Sequence, residues 1–163
     1  MSGRVEKLLK AYPEMVQQRD CLAYQLAHFQ GVSVGEVIDS MMTPQVGGER
    51  VQSGGLSNRT ERIALEYRER QERINRAWYA HLEQQWGLLN DEIVFLESAI
   101  ETLPNKLAPF MRDLVIHHLT WDALENKYHI SRYTVSAYRK KAIQELEARY
   151  NERERDMIAY MLD

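Results

Sequence analysis

A single cysteine, Cys21, leaves the chain nothing to pair it with, which excludes an intrachain disulfide framework and suits a reducing cytoplasm. Set inside a helical pattern, its thiol is expected to be buried. No segment approaches the ~18 to 20 apolar residues of a membrane span, and the N-terminus carries no signal-peptide-like hydrophobic region. A cytoplasmic protein without a membrane partner is therefore expected. The five histidines, His28, His81, His117, His118 and His129, include no H-x-x-x-H pair, and one cysteine supplies no C-x-x-C, so no zinc site and no other cofactor is expected. The adjacent His117 and His118 point to different helix faces, one packed and one solvated. Carboxylates are plentiful but fall in helical charge patterns, with no recognisable Ser, His and Asp constellation, so enzymatic activity is not expected. Proline and glycine are scarce, four and eight in 163 residues. With abundant Glu, Arg, Leu and Gln the bias is helical, and the fold class expected is all-α, a long helical coiled-coil-like body with a C-terminal helix-turn-helix domain.

In residues 1–42, Val5, Leu8, Tyr12, Met15, Leu22, Leu26 and Phe29 fall at alternating spacings of three and four if Arg19 is admitted as a polar member of the seam. Pro13 inside this run removes one helical hydrogen bond, so a short helix followed by a longer one is expected, with Gly31 as the stop. Ser33 to Glu36 has the form of a capping box opening a two-turn helix over Val37 and Ile38. Residues 43–57 contain two Gly-Gly pairs and no apolar periodicity, which reads as a flexible linker. Gly-rich loops can cradle phosphate, but this one lacks the Gly-Lys-Ser/Thr ending of a nucleotide-binding loop. Ser57 then caps a long helix over 58–103, about 68 Å at ~1.5 Å per residue, stopped by Pro104. Its stripe from Leu82 through Leu89, Ile93, Leu96, Ile100 and Leu103 calls for a partner. Trp78, Trp86 and Trp121, at helical positions, read as core anchors rather than base-stacking platforms.

The chemistry concentrates in residues 104–163, above all from Thr120 to Leu146. Thr120 is placed to cap one short helix, with Asp122 favourable at its positive end, and Ser131 to cap a second. Leu124, Tyr128, Ile130, Val135, Tyr138, Ala142 and Leu146 form the inner face of two crossed helices. Outward lie Arg132, Tyr133, Thr134, Ser136, Ala137, Arg139, Lys140 and Lys141. Ser131 to Ile143 holds four of the 21 basic residues and none of the 24 acidic ones, so the rest of the chain carries −7 against −3 overall. Positive charge focused on one helix is what phosphate binding requires. With Ser131, these outward residues form the candidate DNA-binding set. Arg132, Tyr133, Thr134 and Ser136 project from the first turns toward base edges, Arg132 toward guanine or a phosphate, while Arg139, Lys140 and Lys141 act on the phosphate backbone.

In this stretch the chain resembles region four of bacterial sigma factors, where a T-x-x-x-[IL] helix, a turn ending [VI]-S-R and a helix ending K-A-[LI]-x-x-L recur. Thr120, Leu124, Ile130, Ser131, Arg132, Val135, Lys141, Ala142, Ile143 and Leu146 stand in that register. Glu125 replaces the usual Ala or Gly of the helix crossing, and His129 the usual Gly of the turn, where a positive φ costs a non-glycine residue about 1 kcal/mol. Leu107, Phe110, Met111, Leu114 and Val115 supply a helix where such domains carry those supporting the DNA-reading pair. Taken whole, with a Gly-rich break and Ser57, Thr60 and Glu61 opening a long helix, the order resembles phage late-gene transcriptional regulators of the RinA and ArpU type. That resemblance implies a sequence-specific DNA-binding activator acting with a bacterial host's RNA polymerase.

Two other classes fit the same pattern. A phage small terminase subunit, which recognises DNA for packaging, also joins a helix-turn-helix to an oligomerising helical body. A protein-interaction factor could remodel RNA polymerase without touching DNA. The expected partners are double-stranded DNA, host RNA polymerase and a second copy of the chain, since one small motif has too few base contacts to be selective in a genome. The stripe from Leu82 to Leu103 is the expected pairing surface, with the chain's own Val5 to Phe29 helix as its alternative occupant.

Overall fold

The computed structural model describes residues 3–41 and 56–163. The chain is all-α, and no strand occurs among the described residues. The described residues form six α-helices in order: α1 (Arg4–Ala27), α2 (Val34–Met41), α3 (Leu56–Glu101), α4 (Leu107–Met111), α5 (Trp121–Tyr128) and α6 (Arg132–Leu162). A π-helical turn, Arg112–Ile116, prolongs α4. Most of the linker expected over 43–57 lies outside the described residues. Leu56 and Ser57 are already helical, so Ser57 sits inside α3 and not before it. Pro13 does not divide α1: the helix is continuous through it, with Pro13 on the solvent side, where the carbonyl it leaves unpaired one turn back can turn to water.

The chain forms two compact units that do not follow the boundaries expected from the sequence. One comprises the chain up to Arg19 together with Leu88–Asp163, the other Asp20–Gly87. The first half of α1 and the last turns of α3 thus belong with the helix-turn-helix segment.

In the first unit one hydrophobic core joins Val5 and Tyr12 of α1, Ile93, Leu96 and Ile100 of α3, Phe110 and Met111 of α4, Leu124 of α5, and Val135, Ala142, Leu146 and Tyr150 of α6. Each of the expected inner-face residues is buried or half-buried. The stripe expected to pair two copies is corrected here, because Ile93, Leu96, Ile100 and Leu103 are all at most 5% exposed within one chain. Their cover is α1: Leu8, Leu9, Met15 and Val16 pack against the same core. The polar member of the seam is accommodated by Arg19 Nη1 donating to Asn90 Oδ1 at 3.4 Å, and Tyr12 donates its hydroxyl to Glu97 at 2.6 Å.

In the second unit the capping box forms as expected, with Ser33 N–H donating to Glu36 Oε2 at 2.7 Å and Glu36 N–H donating to Ser33 Oγ at 3.2 Å. Gly31 ends the preceding segment at φ 71°, and a Cβ there would stand 2.5 Å from the Asn75 side chain. Both the dihedral and the space demand glycine. Asn75 in turn accepts from Val32 N–H at 2.8 Å, and Gln71 donates to Val32 C=O at 3.0 Å, tying the segment before α2 to α3. Two expectations fail in this unit. Cys21 is exposed, because it precedes the half-buried stripe position Leu22 by one residue and a 100° step carries it off that face. Trp78 is 53% exposed and stacks on His81, so it anchors no core among the described residues.

Candidate nucleic-acid interface

The turn between α5 and α6 is built from caps. Thr120 is extended, and its hydroxyl accepts from Ala123 N–H at 3.2 Å, which opens α5. His129 closes α5 in the left-handed region at φ 53°, ψ 47°, donating its N–H to Glu125 C=O. Ile130 N–H reaches the same carbonyl at 3.1 Å. Glu125, the departure from the sigma pattern at the crossing, therefore contributes its backbone to the turn while its side chain is only half-buried. Ser131 then accepts from Thr134 N–H at 3.2 Å and starts α6. Leu124 and Val135, each fully buried, lock the two helices across the turn.

On α6 the burial pattern separates the candidate set. Arg132, Tyr133, Ser136, Ala137, Lys140 and Lys141 are exposed, and their spacing of one, three, one, three and one places them on one face of the helix. Gln144, also exposed, extends that face by a turn, and no acid interrupts it from Ser131 to Gln144. Tyr133 is 83% exposed, a large ring in water at the first turn. Ser131 is exposed with its hydroxyl committed to the cap, and Thr134 is half-buried with its hydroxyl 3.0 Å from Ser131 Oγ. These two shape the helix start more than they face outward. Arg139 departs from its assigned place. It points toward α1, where its guanidinium meets Glu6 Oε1 at 3.4 and 3.5 Å, and is only 27% exposed. Its position follows from the inner stripe: Arg139 adjoins Tyr138 and Ala142, on the edge of the buried face.

Arg132 is held by two neighbours that sequence reading assigned to other work. Its Nη1 lies 3.2 Å from Asp122 Oδ1, and its guanidinium sits over the Trp121 ring, 5.4 Å from the centroid. Both members of the ion pair are exposed, at 65% and 80%, so the pair adds little stability and leaves the guanidinium able to exchange partners. The signal was present as a short connection: residues 121 and 122 open the first helix of a crossed pair, and the start of the second helix returns beside them.

The placement of α5 itself depends on Asp113, the one buried charged residue among the described residues. Lys127 Nζ donates to Asp113 Oδ2 at 2.6 Å, and Tyr128 OH donates to the same oxygen at 2.5 Å. His117 Nδ1 stands 3.0 Å from Oδ1. Burial alone would raise the Asp113 pKa, but these hydrogen bonds outweigh it and hold the carboxyl at about 2. The Tyr128 hydroxyl is pushed up to about 12 by burial and by its bond to that carboxylate. A charge buried in this way is stable because hydrogen-bond partners on both of its oxygens replace the water it gives up. His117 and His118 are both exposed, so neither is packed as the sequence led one to expect. The π-helical turn rotates His117 toward Asp113, and His118 takes φ 56° to leave it.

Among the described residues no group of three or more His, Cys, Asp or Glu is arranged to hold a metal ion, and no helix is long and apolar enough to cross a membrane. Comparison with protein-family models, curated proteins and solved structures finds no match to this chain.

Proposed function

We propose that the chain is a sequence-specific DNA-binding transcriptional regulator, with α5 and α6 as its helix-turn-helix and the first turns of α6 as the element that enters the major groove. The observation that carries this reading is the exposed face Arg132, Tyr133, Ser136, Ala137, Lys140, Lys141 and Gln144, free of acids in a chain of net charge −3. A face of that kind attracts a polyanion, and its start is capped by Ser131, which leaves the positive end of the helix open to phosphate or base edges. Arg132 and Tyr133 stand where base edges would be met, and Lys140 and Lys141, two turns on, where the backbone would pass. The resemblance to sigma region four and to RinA/ArpU-type regulators supports a phage or prophage late-gene activator that works with a host's RNA polymerase.

The test is pull-down of genomic fragments by the purified protein, followed by sequencing and titration of the enriched duplex at several salt concentrations. Recovery of fragments sharing a sequence supports the reading, and failure to retain any duplex at low salt overturns it. Lys140→Ala with Lys141→Ala should weaken binding to enriched and scrambled duplexes alike and reduce the salt slope by up to ~2, at ~0.9 per phosphate contact. Arg132→Ala should cost more on the enriched duplex than on the scrambled one if its fork meets a guanine, by ~1 to 3 kcal/mol.

A further inference from the structure

Past Tyr150, its last buried residue, α6 continues through Asn151–Leu162, and within that span only Arg153 is even partly covered. Twelve residues are about 18 Å of helix at ~1.5 Å per residue, a length that is marginal in water without something packed against it. The span is not polar throughout. Met157 is 55% exposed, Tyr160 85%, Met161 73% and Leu162 82%. Beside it runs an open groove of about 660 Å³ whose floor is Phe95 and Ala99 of α3 and whose wall is α6 from Arg149 to Tyr160. Large apolar residues in water next to an apolar groove mark an interaction surface.

The charges on this wall identify the occupant. Arg149 is already committed, donating to Thr102 C=O at 2.8 Å, Thr102 Oγ1 at 3.0 Å and Glu145 C=O at 3.0 Å. Arg153 keeps one longer bond, 3.3 Å to Glu92, and lies 4.1 Å above the Phe95 ring. Three residues on, Asp156 borders the same groove. If a second α6 is laid antiparallel on the first about a two-fold axis passing between Glu154 and Arg155, each Arg153 comes opposite the Asp156 of the other copy. The same axis sets Met157 against Glu152 and Tyr160 against Arg149, so that the ring of one copy meets the guanidinium of the other, a favourable cation–π arrangement. The Arg153 and Asp156 positions are therefore complementary in charge to themselves, as an isologous interface requires.

We propose that the groove between α3 and the end of α6 is the seat of a second copy of this chain, paired antiparallel through Arg153 and Asp156. This surface takes the place of the α3 stripe, which α1 fills, and it does not depend on the DNA-binding reading. The two apolar ends shield each other's grooves from water, and the two ion pairs set the register.

Sedimentation equilibrium of the full chain without DNA, at about tens of micromolar, tests it. A mass of twice 19.2 kDa is expected, and a monomer overturns the proposal. Asp156→Arg sets Arg against Arg twice across the axis, and Arg153→Asp sets Asp against Asp twice. Each alone should weaken association by at least about tenfold, because like charges at an interface repel. Mixed in equal amounts, the two variants should associate again, since every facing pair is then one Arg and one Asp. A single variant that dimerises as the wild type does, or a mixture that stays monomeric, overturns the pairing. Tyr160→Glu, at a site too exposed to disturb the core, should also dissociate the pair, and far-UV circular dichroism of each variant checks that the helices remain.

Discussion

Among the described residues, all but two of the buried apolar ones, Val37 and Leu82, belong to the unit formed by the chain up to Arg19 and Leu88–Asp163. The described part of Asp20–Gly87 shows Ile63, Leu65, Ile74 and Trp78 to water and is tied by the polar contacts of Gln71 and Asn75 to Val32 and by Phe29 set edge-on to Tyr79. Burial of apolar area dominates folding free energy, and a neutral hydrogen bond adds only ~0.5 to 1.5 kcal/mol. Stability is thus concentrated in the unit that holds the α5–α6 turn. An element that has to present side chains at fixed positions gains from such a core, because close packing permits few alternative arrangements.

The sharpest way to break this contrast is by cavity. Phe110 is fully buried and touches Tyr138 edge-on at a centroid distance of 5.5 Å, so Phe110→Ala should cost about 3 to 5 kcal/mol in denaturant unfolding. Trp78→Ala, at a half-exposed ring, should stay within about 1 kcal/mol. Equal losses would show that Asp20–Gly87 buries more than the contrast allows.

A smaller effect comes from Asp113. Its folded pKa of about 2 lies below the ordinary 3.8, so its contribution is complete above pH ~4 and is lost as pH falls through 2, amounting to ~2 kcal/mol. Thermal melts between pH 5 and 2 should show this loss, and Asp113→Asn should be destabilised at neutral pH and lack that part of the acid dependence. A parallel acid dependence in wild type and variant would remove Asp113 from its role in seating α5.

Smaller again are the caps. Thr120→Ala and Ser131→Ala should each cost about 1 kcal/mol and speed amide exchange in the first turns of α5 and α6 before it changes elsewhere. The smallest effect is expected at Tyr150, whose ring is fully buried and whose hydroxyl makes no hydrogen bond of good geometry. Burial first, and the Glu92 charge second, hold that phenol's pKa well above its ordinary value. Tyr150→Phe should leave the melting transition unchanged or raise stability by up to ~1 kcal/mol, since it removes an unsatisfied polar atom without changing shape.

Legibility followed the range of the interactions involved. Thr120, Ser131, the Ser33–Glu36 box and the positive φ at His129 are satisfied within four residues of chain, so the local pattern contained them. The inner face Leu124, Val135, Ala142 and Leu146 was legible for the same reason, because helical period alone puts those residues on one side. Arg139 was not: period places it on the border of two faces, and only the arrival of Glu6 from 133 residues away decides that it turns inward.

By itself, then, the sequence determined the all-helical class, the caps at Ser33, Thr120 and Ser131, the crossed pair and the clearing of acids from one face of α6, all of which rest on contacts between near neighbours, whereas the division of α1 at Pro13 and the cap at Ser57 were misread. The tertiary structure alone decided who covers the α3 stripe, which candidate cations remain free to meet a phosphate, and that Asp113 seats α5. Each of those is a choice between partners distant in the chain. An amphipathic face states that it will be buried without stating against what, since the hydrophobic effect has no direction. Here the partner is α1, and the end of α6 stays among the uncovered apolar surfaces.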